Sequence, residues 1–356
     1  MSAVLPLRSA RRAPVQAAVR APRLALLGTG GVGSAFVARI DALRARGIAV
    51  PEFAWLSNSR VLLDARGDAA AALARARAAD RAGTGALPPW AEAESLVRGD
   101  VLVDATASER VADRHADWLG RGIHVVTANK LGRGDALWRS QAIDAAAREG
   151  GARYCDAATV GAGLPVLSAL RALVAGGDRI HSVEGVLSGT LAWLFDAFDG
   201  RRAFSTLVAQ AHAQGLTEPD PREDLSGEDV RRKLLILARA AGLALEARDV
   251  AVEPLLAHRD AGLASLDVPL RAKLEMARAE GARLCMVGRI AGGGAHVALR
   301  ALPASHPLCA GRGSDNRVAI HSDRYAAQPL VVQGPGAGVD VTAAALLDAV
   351  LEIARG

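Results

Sequence analysis

Short apolar runs alternate with longer helix-period segments over the first part of the chain. The runs at 24–27, 52–56, 100–106, 122–127 and 152–154 predict strands. Between them lie a helix at about 34–46, an Ala/Arg-rich helical segment at 61–99 with a loop at 83–89, a helix opened by Ala107-Ser108, and a helix at 135–149. Strand–helix alternation of this kind predicts a doubly wound parallel sheet. Further on, a small-residue loop at 159–165 precedes a helix at 166–175. A strand at 183–187 then runs into Ser188-Gly189-Thr190, which caps a helix at 191–198. The long segment 243–325 carries strand-like pieces at 283–290 and 295–301. A last apolar strand at 328–333 ends in glycines, and Asp340-Val341-Thr342 caps a final helix at 343–355.

The first strand runs directly into Gly28-Thr29-Gly30-Gly31-Val32-Gly33, and a helix follows. Strand, GxGxxG and helix in that order predict a Rossmann dinucleotide site. Gly28 permits the tight turn, Gly30 lets a pyrophosphate approach the backbone, and Gly33 lets helix and strand pack closely. The helix N-terminus, with Gly31 and Val32, faces the phosphates. A glycine-rich loop without a ligand is the plain alternative. The second strand ends at Ser57-Asn58-Ser59-Arg60, with no acid for a ribose hydroxyl pair. Ser57, Ser59 and Arg60 suit a 2′-phosphate, so the reading is NADP with NAD as the other choice; Arg60 as an ordinary surface residue stays open. Thr106, Ser108 and Lys130 follow strands at the end of the sheet where cofactors bind. The fold expected is α/β: an N-terminal Rossmann domain over 21–155, a second α+β domain over 156–326, and a strand and helix at 327–356 packing back on the nucleotide domain.

The stretch 215–233, GLTEPDPREDLSGEDVRRK, concentrates six acids and four bases. Pro219 and Pro221 are expected to stop a helix in its first half. Ser226 then reads as the N-cap of a helix carrying Val230, Leu234 and Leu237 on one face, with Asp229 and Lys233 four apart. An acid and an amine side by side suit a small zwitterion and a proton transfer; a capping box with a surface ion pair is the bland alternative. Of 43 Lys+Arg, only Lys130, Lys233 and Lys273 are lysine. Arg stays protonated, whereas a Lys amine can give up its proton, so each lysine is a candidate for chemistry.

With 356 residues, 51% hydrophobic and 23% charged, the chain suits two soluble globular domains. Net charge is +5, but bases and acids intermix and no basic stripe carries aromatics, which disfavours nucleic acid. Cys155, Cys285 and Cys309 have neither zinc spacing nor an even count, which points to a reducing cytoplasm. Apolar runs are too short and interrupted to span a membrane. Residues 1–20 hold Arg8, Arg11, Arg12 and Arg20 with no acid. They read as a flexible basic extension, with a transit peptide as the alternative.

Several stretches together resemble homoserine dehydrogenase. They are GTGGVG at 28–33, VVTANK at 125–130, YCDAATVGAGLP at 154–165, GVLSGTLAWLF at 185–195, the 215–233 stretch and GPGAGVDVTA at 334–343. They cover the chain from about residue 22 onward and are most similar to the form fused to aspartate kinase. No kinase portion and no C-terminal ligand-sensing domain is expected. The resemblance implies NAD(P)H-dependent reduction of L-aspartate 4-semialdehyde to L-homoserine, a step toward threonine and methionine. It implies Lys233 as proton donor and Lys130 as the second catalytic lysine. Glu218 and Asp229 would hold the substrate ammonium, supported by Asp224, with Thr190 close to the substrate and Gly215 and Gly338 at the cofactor. It further implies a sodium or potassium ion on the backbone carbonyls of Ala157, Val160, Ala162 and Leu164, and a homodimer or homotetramer built through the second domain. Ala157, Leu216, Ala128 and Leu131 depart from the residues frequent in the family (Glu, Tyr, Pro and Lys). The other readings are a reductase of a related amino-acid aldehyde and a non-catalytic dinucleotide-binding regulator. A cysteine-dependent aldehyde dehydrogenase is disfavoured, because no His partner stands in a recognisable motif.

Overall fold

The computed structural model describes residues 20–79, 95–256 and 261–356. The extension at 1–19 and the loop at 83–89 lie outside the described residues.

The first sheet is built from β1 (Arg23–Leu27), β2 (Glu52–Ser57), β3 (Leu62–Asp64), β4 (Val101–Asp104), β5 (His124–Thr127) and β6 (Tyr154–Cys155). Its order is β3-β2-β1-β4-β5-β6, parallel throughout except for the β2–β3 hairpin. Helices α1 (Gly31–Ala45), α2 (Ala69–Ala78), α3 (Glu109–Ala112), α4 (His115–Gly120) and α5 (Leu137–Gly150) connect the strands. The strand order reverses between β1 and β4, and at such a switch point open α/β sheets bind ligands. The helical expectation for 61–99 is corrected at its start, because residues 62–64 form β3. Asn58 explains the hairpin: its Oδ1 accepts from the backbone N–H groups of Arg60 and Val61 and turns the chain back on β2.

The second sheet follows helix α6 (Val166–Ala175). It contains β7 (Ile180–Val186), β8 (Val250–Val252), β9 (Ala282–Ala291), β10 (Gly294–Pro303), β11 (Asp315–Ser322) and β12 (Leu330–Pro335), in the order β12-β11-β7-β9-β10-β8. Only the β8–β10 pairing is parallel. Helices α7 (Gly189–Ala197), α8 (Phe204–Ala213), α9 (Pro221–Leu225), α10 (Glu228–Ala240) and α11 (Asp267–Ala279) belong to this unit. Leu170, Leu194, Phe204, Leu234 and Leu274 from the helices share one core with Val183, Met286 and Val318 from the strands. Strand β11 and helices α8 and α11 went unpredicted. The last strand was expected to pack on the nucleotide domain, but β12 pairs with β11 inside the second sheet.

Only the final helix, α12 (Val339–Arg355), crosses back. Its Leu346, Leu347 and Val350 pack with Phe36, Val37 and Ile40 of α1. The two helix starts touch, since a Cβ on Gly31 would lie 3.1 Å from Val339 Cγ2. The helix begins at Val339 with Gly338 as N-cap, earlier than the cap expected at Asp340-Val341-Thr342.

Candidate active site

Lys130 and Lys233 come from different units and meet where the two units abut. At that junction Arg239 of α10 donates to the carbonyl oxygens of Arg133 and Asp135. Lys233 is held by α10. The helix forms because Val230, Leu234 and Leu237 recur on one buried face. Its start differs from the sequence reading. Pro221 does not block a helix but opens the short α9 at its first position, with the Asp220 carboxylate capping the backbone N–H of Arg222. Ser226 closes α9, and Gly227, at φ 77°, breaks the chain direction and caps α10. The Ser226 hydroxyl still accepts from the Glu228 N–H.

Asp229 joins the two lysines. Its Oδ1 lies 3.2 Å from Lys130 Nζ and its Oδ2 lies 2.7 Å from Lys233 Nζ. Burial pushes the Asp229 carboxyl up, but the Lys233 and Lys130 ammoniums outweigh it and hold the acid well below the usual carboxylate range. The Lys233 side of the pair is buried, at 7% exposure, while Asp229 and Lys130 stay partly open to solvent. Its Nζ also donates to the Leu187 carbonyl at 2.7 Å. The third candidate, Lys273, is exposed on α11, away from this pair. Two of the three converge.

The turn that carries Lys130 is pinned from beneath. The Asn129 N–H donates to Thr127 Oγ1, its Oδ1 accepts from the Leu131 N–H, and its Nδ2 donates to the Ser108 carbonyl. Thr106 gives its hydroxyl and its N–H to Asp104 Oδ1, so that hydroxyl is engaged within the protein. Asp104 Oδ2 meets His115 Nε2 at 3.0 Å, and His115 Nδ1 meets the Tyr154 hydroxyl at 3.2 Å. Gly132 packs so closely on this chain that a Cβ would fall 2.2 Å from the Tyr154 hydroxyl.

The glycine loop divides its tasks. Gly28 has φ 100°, in the left-handed range that favours glycine, and a Cβ on it would meet the Ala105 carbonyl oxygen at 2.7 Å. A Cβ on Gly33 would lie 1.9 Å from the Gly28 carbonyl oxygen, so helix and strand pack through it. A Cβ on Gly30 would meet no protein atom within 4 Å, which leaves its backbone open to a ligand. Gly31 and Val32 begin α1 beside it.

Ser57 is corrected as a phosphate ligand: it is fully buried and its hydroxyl donates to the Val61 carbonyl at 2.8 Å. Ser59 is exposed at the hairpin tip, and the half-buried Arg60 side chain makes no hydrogen bond or ion pair with another described residue. Glu218 is exposed; its N–H donates to Asp224 Oδ2, while its carboxylate engages no described residue. Burial raises the Asp224 carboxyl, the Glu218 N–H lowers it, and the nearby Asp229 charge raises it further. The Thr190 hydroxyl donates to the Leu216 carbonyl at 2.6 Å, and Ser188 caps α7 through the Leu191 N–H. Gly215, at φ 69°, and Gly338, at φ 130°, are both exposed.

Ala157 lies in a single 3-10 turn after Asp156. Gly161 and Ala162 follow at φ 76° and 49°, which rotates successive carbonyls, and the Leu164 carbonyl accepts from the Val166 N–H. Burial first and the Asp156 charge second push the Cys155 thiol up to about 11, which disfavours the thiolate a nucleophile needs. Sequence reasoning missed two members of the site. Leu187 acts through a carbonyl, which carries no side-chain signal. Asn316 donates to that carbonyl from an unpredicted strand.

Comparison with known proteins follows the same division. Residues 28–155 match the model of the homoserine dehydrogenase NAD-binding domain, and residues 165–351 match that of homoserine dehydrogenase. The chain is 42% identical over 266 residues to the bifunctional aspartokinase/homoserine dehydrogenase 2 of Zea mays. That match covers 71% of this chain and about 29% of the relative's length. It is 36% identical to a homoserine dehydrogenase of Paracoccidioides brasiliensis, covering 90% of this chain and 94% of that one. A Candida auris crystal structure of unknown function superposes with a TM-score of 0.81 at 30% identity, covering 94% and 98% of the two chains. With both units matched in order and the fungal relative aligned almost end to end, the chain belongs to the homoserine dehydrogenase family.

Proposed function

We propose that this protein reduces L-aspartate 4-semialdehyde to L-homoserine, with Lys233 delivering the proton. The observation that carries the reading is the bonding of the Lys233 ammonium. It has three N–H groups. One goes to the Leu187 carbonyl and one to Asp229, both at 2.7 Å, which leaves a single N–H for a substrate oxygen. When bound, the reduced nicotinamide supplies the hydride that adds to the aldehyde carbon. Negative charge then grows on the aldehyde oxygen. Lys233 meets it with a fixed charge and a transferable proton, and the product is the alcohol. Lys130, held on the other oxygen of Asp229, adds a second positive charge at the same place. Asp229 spends lone pairs on both lysines, so the exposed carboxylate of Glu218, with Asp224 behind it, takes the larger share of the substrate ammonium. Thr190 orients the segment that ends at Leu216.

The loop of Gly28, Gly30, Gly31, Val32 and Gly33 suits a dinucleotide: Gly30 is open where a pyrophosphate would lie and α1 starts beside it. Thr106, Ser108, Gly215 and Gly338 would border the rest of the cofactor. NADP is the preferred form, since Ser59 and Arg60 stand at the strand end where an NAD site places an acid. Carbonyls of Ala157, Val160, Ala162 and Leu164 suit sodium or potassium, with the rotated backbone at 161–162 as support. We place the protein in the cytoplasm, as a homodimer or homotetramer joined through the second unit. No helix among the described residues is long and apolar enough to cross a membrane.

The test is consumption of NADPH and of NADH with L-aspartate 4-semialdehyde. Turnover with either establishes the reaction; none, in folded protein that binds dinucleotide, defeats it. Arg60→Ala raises KM for NADPH about tenfold, the loss of one charge-assisted contact of 1.4 kcal/mol or so. KM for NADH stays put, and equal changes for both cofactors would remove Arg60 from the site. Gly30→Ala and Gly33→Ala separate binding from folding. The first weakens NADPH binding about tenfold or more with an unchanged melting temperature, because its methyl meets only the ligand. The second also lowers the melting temperature by several degrees, because its methyl strikes backbone.

A further inference from the structure

We propose that Asn316 is a positioning residue for Lys233; the inference rests on Lys233 being the proton donor. Asn316 lies on β11 and is completely buried. Its Nδ2 donates at 3.2 Å to the Leu187 carbonyl, the same oxygen that receives the Lys233 ammonium at 2.7 Å. A carbonyl oxygen has two lone pairs. With the amide on one, the ammonium is confined to the other, and the direction of its remaining N–H is set.

Two features show that the amide is there for this bond. Its Oδ1 is buried with no hydrogen-bond partner in the protein, a cost that an apolar side chain of the same shape would avoid. The N–H given to Leu187 is what the amide adds in return. The amide is also wedged: a Cβ on Gly336 would fall 2.1 Å from Asn316 Cγ, so only glycine fits there and Asn316 cannot swing toward that turn. The charged groups around Lys233 are Asp229 on its own helix, Lys130 after β5, and Asp224 on α9 near Asp229. Asn316 adds no charge to this set. Its contribution is direction.

The test uses the full chain in semialdehyde reduction, with Asn316→Ala, Asn316→Asp and Lys233→Ala in parallel. Asn316→Ala is expected to lower kcat by about tenfold to a hundredfold, as misplacement of a reacting group does. KM for NADPH stays within about threefold, since cofactor binding is untouched. Asn316→Asp keeps the volume but puts a carboxylate on the oxygen that Lys233 also touches. The N–H that fixed that oxygen is gone, so kcat falls as it does in Asn316→Ala while KM for NADPH again stays within about threefold. If Asn316→Asp does not fold, Asn316→Ala decides. Folded Asn316→Ala with unchanged kcat overturns the proposal, and so does a loss confined to KM or to melting temperature. Lys233→Ala that keeps its turnover removes the proton donor and this inference with it. Lys233→Ala without turnover beside a fully active Asn316→Ala removes this inference alone.

Discussion

Lys233→Ala lowers kcat for semialdehyde reduction by about 10³, within the range that a positioned general acid supplies. Two losses combine. The growing charge on the aldehyde oxygen loses its nearest cation, and the oxygen loses the only N–H that Lys233 has left after bonding Leu187 and Asp229. The fold should survive, because Leu187 O keeps the Asn316 amide and Asp229 keeps Lys130. Lys233→Arg separates the two losses. The guanidinium keeps the charge but does not give up a proton near neutral pH. Substrate KM therefore stays near the wild-type value while kcat remains down by about 10². Steady-state kinetics of both variants decide it. An arginine variant with near-native kcat would show that charge alone suffices and that the proton comes from elsewhere.

How much of this was legible before the structure depended on what kind of atom does the work. The glycine loop was legible because each glycine answers a separate steric demand, and those demands reappear as the contacts of Gly28 and Gly33 and the open space at Gly30. The lysine pair was legible because lysine is so rare in this chain that its placement carried information; Lys273 shows that rarity alone does not assign chemistry. The cap of α10 was misread because Ser226 has the chemistry of an N-cap, while a left-handed Gly227 ended one helix and began the next. Strand β11 was hidden because Asn316 to Ile320 is buried on both faces. Its polar and charged members, Asn316 and Arg317, broke the apolar run that would have marked it. The Arg317 guanidinium spends its Nη1 on the carbonyls of Leu308 and Gly311 in the preceding turn, an arrangement that no apolar periodicity announces. Leu187 lies beyond any reading of side chains.

Asp229→Asn tests the other half of the pair, and its signature is a dependence on pH. The amide keeps the shape but leaves two ammoniums facing a neutral group. Lys233 then loses the charged partner that anchors one of its N–H groups, and Lys130 loses the carboxylate that holds it beside Lys233. Its kcat/KM at neutral pH should fall by about 10². The dependence on pH lies in the stability. Because Asp229 is held below its ordinary range, its contribution to folding is fully present above about pH 4, the unfolded carboxylate value, and fades as pH falls toward the folded one. The wild type should therefore melt above Asp229→Asn at neutral pH, and the gap should narrow steadily as the solution is acidified. Thermal melts of the two proteins along one acid series measure it. A gap that stays constant with pH would mean that the carboxylate serves by shape rather than charge, and the pairing of Lys130 with Lys233 would then have to be held by their backbones alone.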